Sequence, residues 1–137
     1  MSSEPPPPPE YFLERSLGKL TADGLRDRGW VVHTIYEHFP DDGADVTDEK
    51  WIEFGIGNGW VCLTKDKRIR YRAAEIGALT EGHIFCLAGG NLQMTEMVDR
   101  FAQAGKAIQR GVAKHDIGFW HVYGEGRVKR MWPPERR

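Results

Sequence analysis

The sequence predicts an α/β fold built on a mainly parallel sheet. Strand-like apolar segments alternate with helical patterns along most of the 137 residues, which is typical of α/β proteins. Two of the strand segments, residues 60–64 and 83–87, are almost continuously apolar, as in strands that helices cover on both faces. The length suits a single domain that can bury a sizeable core.

The first half of the chain begins with a short apolar-rich strand over residues 11–14. Ser16 is then a plausible N-cap for a short helix that ends at Gly29. Residues 30–36 are rich in β-branched and aromatic side chains, which predicts a second strand. Proline, aspartate and glycine predict a loop over residues 40–45.

Thr47 predicts the start of the next helix, which Gly57 closes. The strand at residues 60–64 follows, then a helix over residues 68–79 and the strand at residues 83–87. This order continues the alternation of helix and strand.

The clearest helix lies in the C-terminal third. Its apolar residues recur at i+3 and i+4; they are Met94, Met97, Phe101, Ala104, Ile108 and Val112. Residues 119–123 and 127–132 then predict a β-hairpin around a glycine-rich turn.

Composition excludes several classes of protein. Lys and Arg number 19 against 20 Asp and Glu, which excludes a strongly basic histone-like binder and an acidic disordered chain. The apolar runs are far shorter than the roughly 20 residues of a membrane span, and the N-terminus lacks a secretory signal, so a cytoplasmic protein is predicted. We expect a disordered proline-rich leader over residues 1–10, one domain over residues 11–132, and a frayed tail over residues 133–137.

The two cysteines, Cys62 and Cys86, each lie in an apolar run and form no metal-binding motif. Buried reduced thiols are therefore predicted.

Acidic residues stand where the chemistry of a parallel sheet is expected. Glu14 ends the first strand and Asp66 lies two residues past the third, so both should reach the carboxyl edge of the sheet. Asp48 opens a helix and is the best third acid, with Asp45 as its nearest rival. Oxygen ligands of this kind suit Mg²⁺ or Mn²⁺, which can activate a water towards a phosphodiester. The alternatives are a favourable charge at a helix start for Asp48 and a solvated loop for the acid-rich residues 37–53.

A basic segment surrounds Asp66, and its five cations could hold RNA phosphates. The alternative is a solvated helix face. These cations are Lys65, Lys67, Arg68, Arg70 and Arg72.

Other catalytic patterns are missing from the sequence. It contains neither a phosphate-binding GxxxxGK[ST] loop nor a GxSxG nucleophile elbow, and its five histidines show no metal-ligand pairing.

Four ordered stretches resemble the PIN-like domain family, in particular the compact VapC-type toxin ribonucleases of actinobacterial type II toxin–antitoxin systems and their Mut7-C-like relatives. The stretches are FLERSLG at residues 12–18, LRDRGWVV at 25–32, DEKW at 48–51 and GWVCLTKDKRIRYR at 59–72. The segment TKDKRIRYR is the most specific of them. The resemblance extends over about residues 12–132.

The resemblance implies a three-layer α/β/α sandwich and an endoribonuclease that depends on Mg²⁺ or Mn²⁺. Glu14 takes the place of the first-strand acid, Asp48 that of the second acid, and Asp66 that of the acid in the Thr-x-Asp motif, which Thr64 would support. These three acids would be both the catalytic residues and the metal ligands. Relatives often have Asp at the first of these positions, so the Glu is a departure from the pattern.

The family pattern also includes a fourth acid at the start of a later helix, for which Glu96 and Asp99 are candidates. The implied partners are substrate RNA and a small cognate antitoxin, with a homodimer possible. Two alternatives remain open at this point. One is a non-catalytic RNA- or protein-binding module on a degenerate PIN-like fold, and the other is a nuclease that acts on DNA.

Overall fold

The computed structural model describes residues 8–69 and 81–133. Their strands form a single six-stranded sheet in the order β2-β1-β3-β4-β5-β6. The strands are β1 Tyr11–Leu13, β2 Val32–Thr34, β3 Val61–Thr64, β4 Gly82–Leu87, β5 Ile117–Val122 and β6 Val128–Trp132. The α-helices are α1 Lys19–Asp27, α2 Ile35–His38, α3 Asp48–Gly57 and α4 Met94–Lys114, and short 3₁₀ turns cover Arg15–Leu17 and Pro40–Gly43.

The sheet is parallel except at one edge. Strands β2, β1, β3, β4 and β5 run in the same direction, and only β6 pairs antiparallel, with β5. The predicted α/β class and the C-terminal hairpin are therefore confirmed. The carboxyl ends of β1 and β3 lie side by side, because Leu13 is in register with Leu63.

Helices cover both faces of the sheet and create two cores. On one face, α1 and α4 pack through Leu25, Phe101 and Ile108. On the other face, α3 packs through Trp51 and Ile52. The three layers that the family resemblance implies are thus present.

Two local predictions were wrong. Ser16 is not a helix N-cap but lies inside the 3₁₀ turn, and α1 starts after Gly18, whose φ of 83° favours glycine. The second strand spans only Val32–Thr34 because its partner β1 ends at Leu13, which pairs with Thr34. The chain then turns at once into α2.

Some predictions concern residues that lie outside the described ranges. The helix expected at residues 68–79 lies almost wholly outside the described residues, as do most of the leader and of the tail. Within the described ranges, none of the helices has the length and apolar character needed to cross a membrane.

Candidate active site

Glu14 is held at the carboxyl edge of the sheet by hydrogen bonds of both its backbone and its side chain. Its N–H donates to the carbonyl of Leu63 on β3 at 2.9 Å. Its Oε2 accepts a hydrogen bond from the backbone N–H of Ser16, which caps the following 3₁₀ turn. The side chain is therefore fixed in place before any ligand binds.

Two further acids lie near enough to Glu14 for their charges to act on it. Burial raises the pKa of Glu14, hydrogen bonding from Ser16 opposes that rise, and the charges of Asp66 and Asp48 add to it. A half-buried carboxyl that two further carboxylates make harder to ionise is typical of a functional site.

Asp66 lies two residues beyond β3 in a tight turn. Its backbone N–H donates to Oγ1 of the fully buried Thr64 at 3.1 Å. Its Oδ1 accepts from the backbone N–H and from Nε of Arg68, each at 3.0 Å. Thr64 therefore shapes the turn that presents Asp66.

Asp48 is the first residue of α3, which Thr47 caps by accepting a hydrogen bond from the N–H of Lys50 at 3.2 Å. Oδ1 of Asp48 accepts from Nε1 of the buried Trp51 at 3.1 Å. The rival acid, Asp45, is exposed in the preceding loop, and it is Asp48 whose charge acts on Glu14.

Basic side chains surround a depression beside Asp66. Lys65, Lys67 and Arg68 are all exposed, and a cavity of about 390 Å³ is lined by Lys65, Asp66, Arg68 and the residues at the end of β4. The two further predicted cations, Arg70 and Arg72, lie outside the described residues.

The three acids fit a divalent metal by their chemistry, since carboxylate oxygens are what Mg²⁺ and Mn²⁺ prefer. In residues 8–69 and 81–133, however, no three His, Cys, Asp or Glu side chains are grouped so that they could hold a metal without rearrangement. Asp66 is engaged in an ion pair with Arg68, in which Nε of Arg68 lies 3.0 Å from Oδ1 of Asp66. The side chain of Arg68 is 85% exposed and can leave without disturbing the core.

The two candidates for a fourth acid have structural partners instead. Oε1 of Glu96 accepts from the N–H of Gln93 in a capping box at the start of α4. Asp99 forms an ion pair with Arg28, the residue that follows α1. The contacts of Glu96 and Asp99 are therefore with the start of α4 and with Arg28, and not with Glu14, Asp48 or Asp66.

Sequence reasoning missed the groups that orient Glu14. They are the backbone N–H of Ser16 and the carbonyl of Leu63, and a backbone group leaves no signal in residue type.

Both cysteines are free and buried, as predicted. Burial raises the pKa of the Cys62 and Cys86 thiols to about 12, and for Cys86 the charge of Asp66 contributes as well.

Residues 9–89 match the model of a family described as PIN like domain. The chain is also similar to a protein of Mycobacterium tuberculosis that bears the name "Putative ribonuclease VapC45". The two are 32% identical over 103 residues, which cover 72% of this chain and 75% of that protein. No solved structure matches the chain.

Proposed function

We propose that this chain, which belongs to the PIN-like domain family, is a ribonuclease whose centre consists of Glu14, Asp48 and Asp66. In this proposal it is the toxin of a toxin–antitoxin pair and hydrolyses RNA phosphodiesters with the help of Mg²⁺ or Mn²⁺. The name of the mycobacterial relative supports the ribonuclease part of this proposal.

One observation carries the choice of residues. The pairing of β1 with β3 brings Glu14 and the turn that carries Asp66 to the same edge of the sheet, and the charges of Asp66 and Asp48 both raise the pKa of Glu14. Burial makes this concentration of negative charge costly unless a cation compensates it. A site of this kind is better suited to binding a divalent ion than to supporting the fold.

Glu14, Asp48 and Asp66 would hold the metal ion, which when bound lowers the pKa of a water and neutralises charge on the phosphate. The backbone N–H of Ser16 holds Oε2 of Glu14 and so keeps this carboxylate at the edge of the sheet. Arg68 has to release Asp66, and once released it is placed to contact a phosphate of the substrate.

Lys65 and Lys67 would join Arg68 in gripping the RNA backbone, with Arg70 and Arg72 as further candidates. Thr64 would act only as a positioning residue for Asp66. A small antitoxin that covers the acidic cleft would be the regulatory partner. We also propose a cytoplasmic protein that can form a homodimer.

The test is cleavage of a mixed RNA pool by the purified chain with Mg²⁺, with Mn²⁺ and with EDTA. Glu14→Gln and Asp66→Asn should each lower the cleavage rate by more than about a hundredfold, because each removes a charged ligand. Asp45→Asn is the matched control, since it removes an exposed acid of the same region and should leave the rate unchanged. Titration with Mn²⁺, followed by calorimetry, should show weakened binding in the first two variants alone.

The alternative, a non-catalytic binding module on the same fold, gives a different result. The folded wild-type chain would then bind RNA without cleaving it in any metal, and Glu14→Gln would leave that binding unchanged. Cleavage that persists in EDTA would also contradict the proposal.

A further inference from the structure

A second concave surface lies far along the sheet from the acids. It is a groove of about 830 Å³ between the C-terminal half of α4 and the β5–β6 hairpin. Four cations line it, two from the helix and two from the hairpin; they are Arg110, Lys114, Arg127 and Lys129.

The floor of the groove is rigid. It contains the ring of Trp120, which a Cβ atom at Gly111 would approach to within 2.7 Å. Nε1 of Trp120 donates to Nδ1 of the buried His83 at 3.0 Å, and the ring stacks on Phe85. Gly111 therefore allows α4 to pack closely on the sheet, and the indole ring of Trp120, which these contacts orient, forms the floor of the groove.

The charge of the groove is not compensated locally. The residues that line it include no acid, and within the described part of the chain none of its four cations forms an ion pair. By contrast, Arg26 of α1 and Arg28, which follows that helix, both pair with carboxylates. Four cations that share one groove without counter-charges favour a polyanionic ligand.

Arg100 lies between the loop that follows β4 and the turn of the β5–β6 hairpin. Its Nη1 donates to the carbonyl of Ala88 at 3.0 Å. A Cβ atom at Gly89, which lines the cavity beside Asp66, would lie 3.6 Å from Nη1 of Arg100. A Cβ atom at Gly124 in the hairpin turn would lie 3.9 Å from Cζ of the same side chain. The guanidinium of Arg100 thus lies between the loop after β4, which lines the cavity beside Asp66, and the turn of the hairpin.

We infer that the groove between α4 and the hairpin binds the phosphate backbone of the RNA substrate beyond the cleavage site. The inference rests on the proposed ribonuclease function for the identity of the polyanion. An acidic polypeptide could also bind four cations, but a further cation, Arg100, lies between the loop beside the acids and the hairpin, which favours a polyanion that extends from the acidic cleft.

The test is the binding of fluorescent single-stranded RNA, measured by anisotropy in EDTA so that no substrate is consumed. An RNA of about four nucleotides can occupy only the acidic cleft, whereas one of about sixteen nucleotides can also reach the groove. The variants are Arg110→Gln, Arg127→Gln and their combination. Arg28→Gln is the matched control, because it removes an exposed arginine that is already paired with Asp99.

We expect the long RNA to bind the groove variants more weakly. The slope of log K against log salt should become shallower by about 0.7 for each phosphate that the variant no longer neutralises, and the double variant should show the sum. The affinity of the groove variants for the short RNA should equal that of wild type, and Arg28→Gln should bind both RNAs as wild type does. Equal salt slopes for wild type and the double variant on the long RNA would overturn the inference.

The binding and cleavage measurements test the groove inference and the ribonuclease proposal separately. If wild type cleaves RNA and the groove variants bind it normally, the groove inference is wrong and the ribonuclease proposal stands. If wild type never cleaves but the groove variants bind long RNA more weakly, the groove binds RNA and the ribonuclease proposal is wrong. Groove-dependent binding of polyglutamate with unchanged RNA binding would assign the groove to an acidic polypeptide and refute the inference.

Discussion

The replacement of Gly55 by alanine tests whether packing of α3 controls the candidate site. Gly55 is buried where α3 crosses β1 and β3. A Cβ atom there would lie 2.7 Å from Sγ of Cys62 and 2.8 Å from Cδ2 of Phe12. Neither neighbour can withdraw easily, because both are completely buried in the same core.

The size of the effect follows from these distances. Carbon atoms in contact prefer a separation of about 3.5–4.0 Å, so α3 has to move outwards by about 1 Å. Overpacking of this kind costs about 1–3 kcal/mol of unfolding free energy, and each kcal/mol lowers Tm by roughly 4 °C in a domain of this size. Asp48 is the first residue of the same helix and would move with it. A misplacement of about 1 Å can lower a reaction rate by about a hundredfold.

The assay combines thermal unfolding with the rate of RNA cleavage, and Gly57→Ala serves as the control. Gly57 lies in the same helix, and a Cβ atom there meets nothing within 4 Å. Alanine at that position should be neutral or stabilise the protein by up to about 1 kcal/mol. The reasoning is refuted if Gly55→Ala and Gly57→Ala have the same Tm. If Tm falls but the cleavage rate does not, the coupling between α3 and the acids is wrong.

Three further predictions concern groups whose pKa the fold shifts. Burial lowers the pKa of His83 below 6.5, so as the pH falls from 7 to 5 the unfolded chain binds more protons at this side chain than the folded chain does. The stability advantage of wild type over His83→Gln in urea titrations should therefore shrink over this range, and a constant advantage would contradict the prediction. Because the folded environment of Glu14 raises the pKa of its carboxyl and so favours the uncharged form, Glu14→Gln should raise Tm at pH 7 without metal, and a lowered Tm would count against this account. With the pKa of the Cys62 and Cys86 thiols near 12, iodoacetamide at pH 8 should modify neither in the native protein and both in denaturant, as mass spectrometry would show.

Local sequence pattern was sufficient to establish the order of elements and the class of fold. Strands β3 and β4 are apolar on both faces, which is a local property that requires helices above and below them. The helical period of α4 and the cap at Thr47 are also local, and both were predicted correctly. Because parallel strands end at one edge, the sequence also indicated which acids to inspect.

Long-range packing set the boundaries that the local pattern could not. Strand β2 stops at Thr34 because its neighbour β1 ends, and α1 starts after Gly18 because Glu14 caps the turn before it. These boundaries depend on partners that are distant in sequence or on backbone groups, which residue type does not reveal.

The same distinction applies to the functional surfaces. The sequence placed acids at the ends of strands, but only the fold shows that the charges of Asp66 and Asp48 act on Glu14 and that Asp66 is paired with Arg68. The cations of the α4–hairpin groove occupy two separate segments, residues 110–114 and 127–129, and neither segment alone is unusual. Their convergence depends on the close approach of Gly111 to Trp120. Residue type fixes which charges are present, whereas the packing of helix against sheet fixes which of them meet.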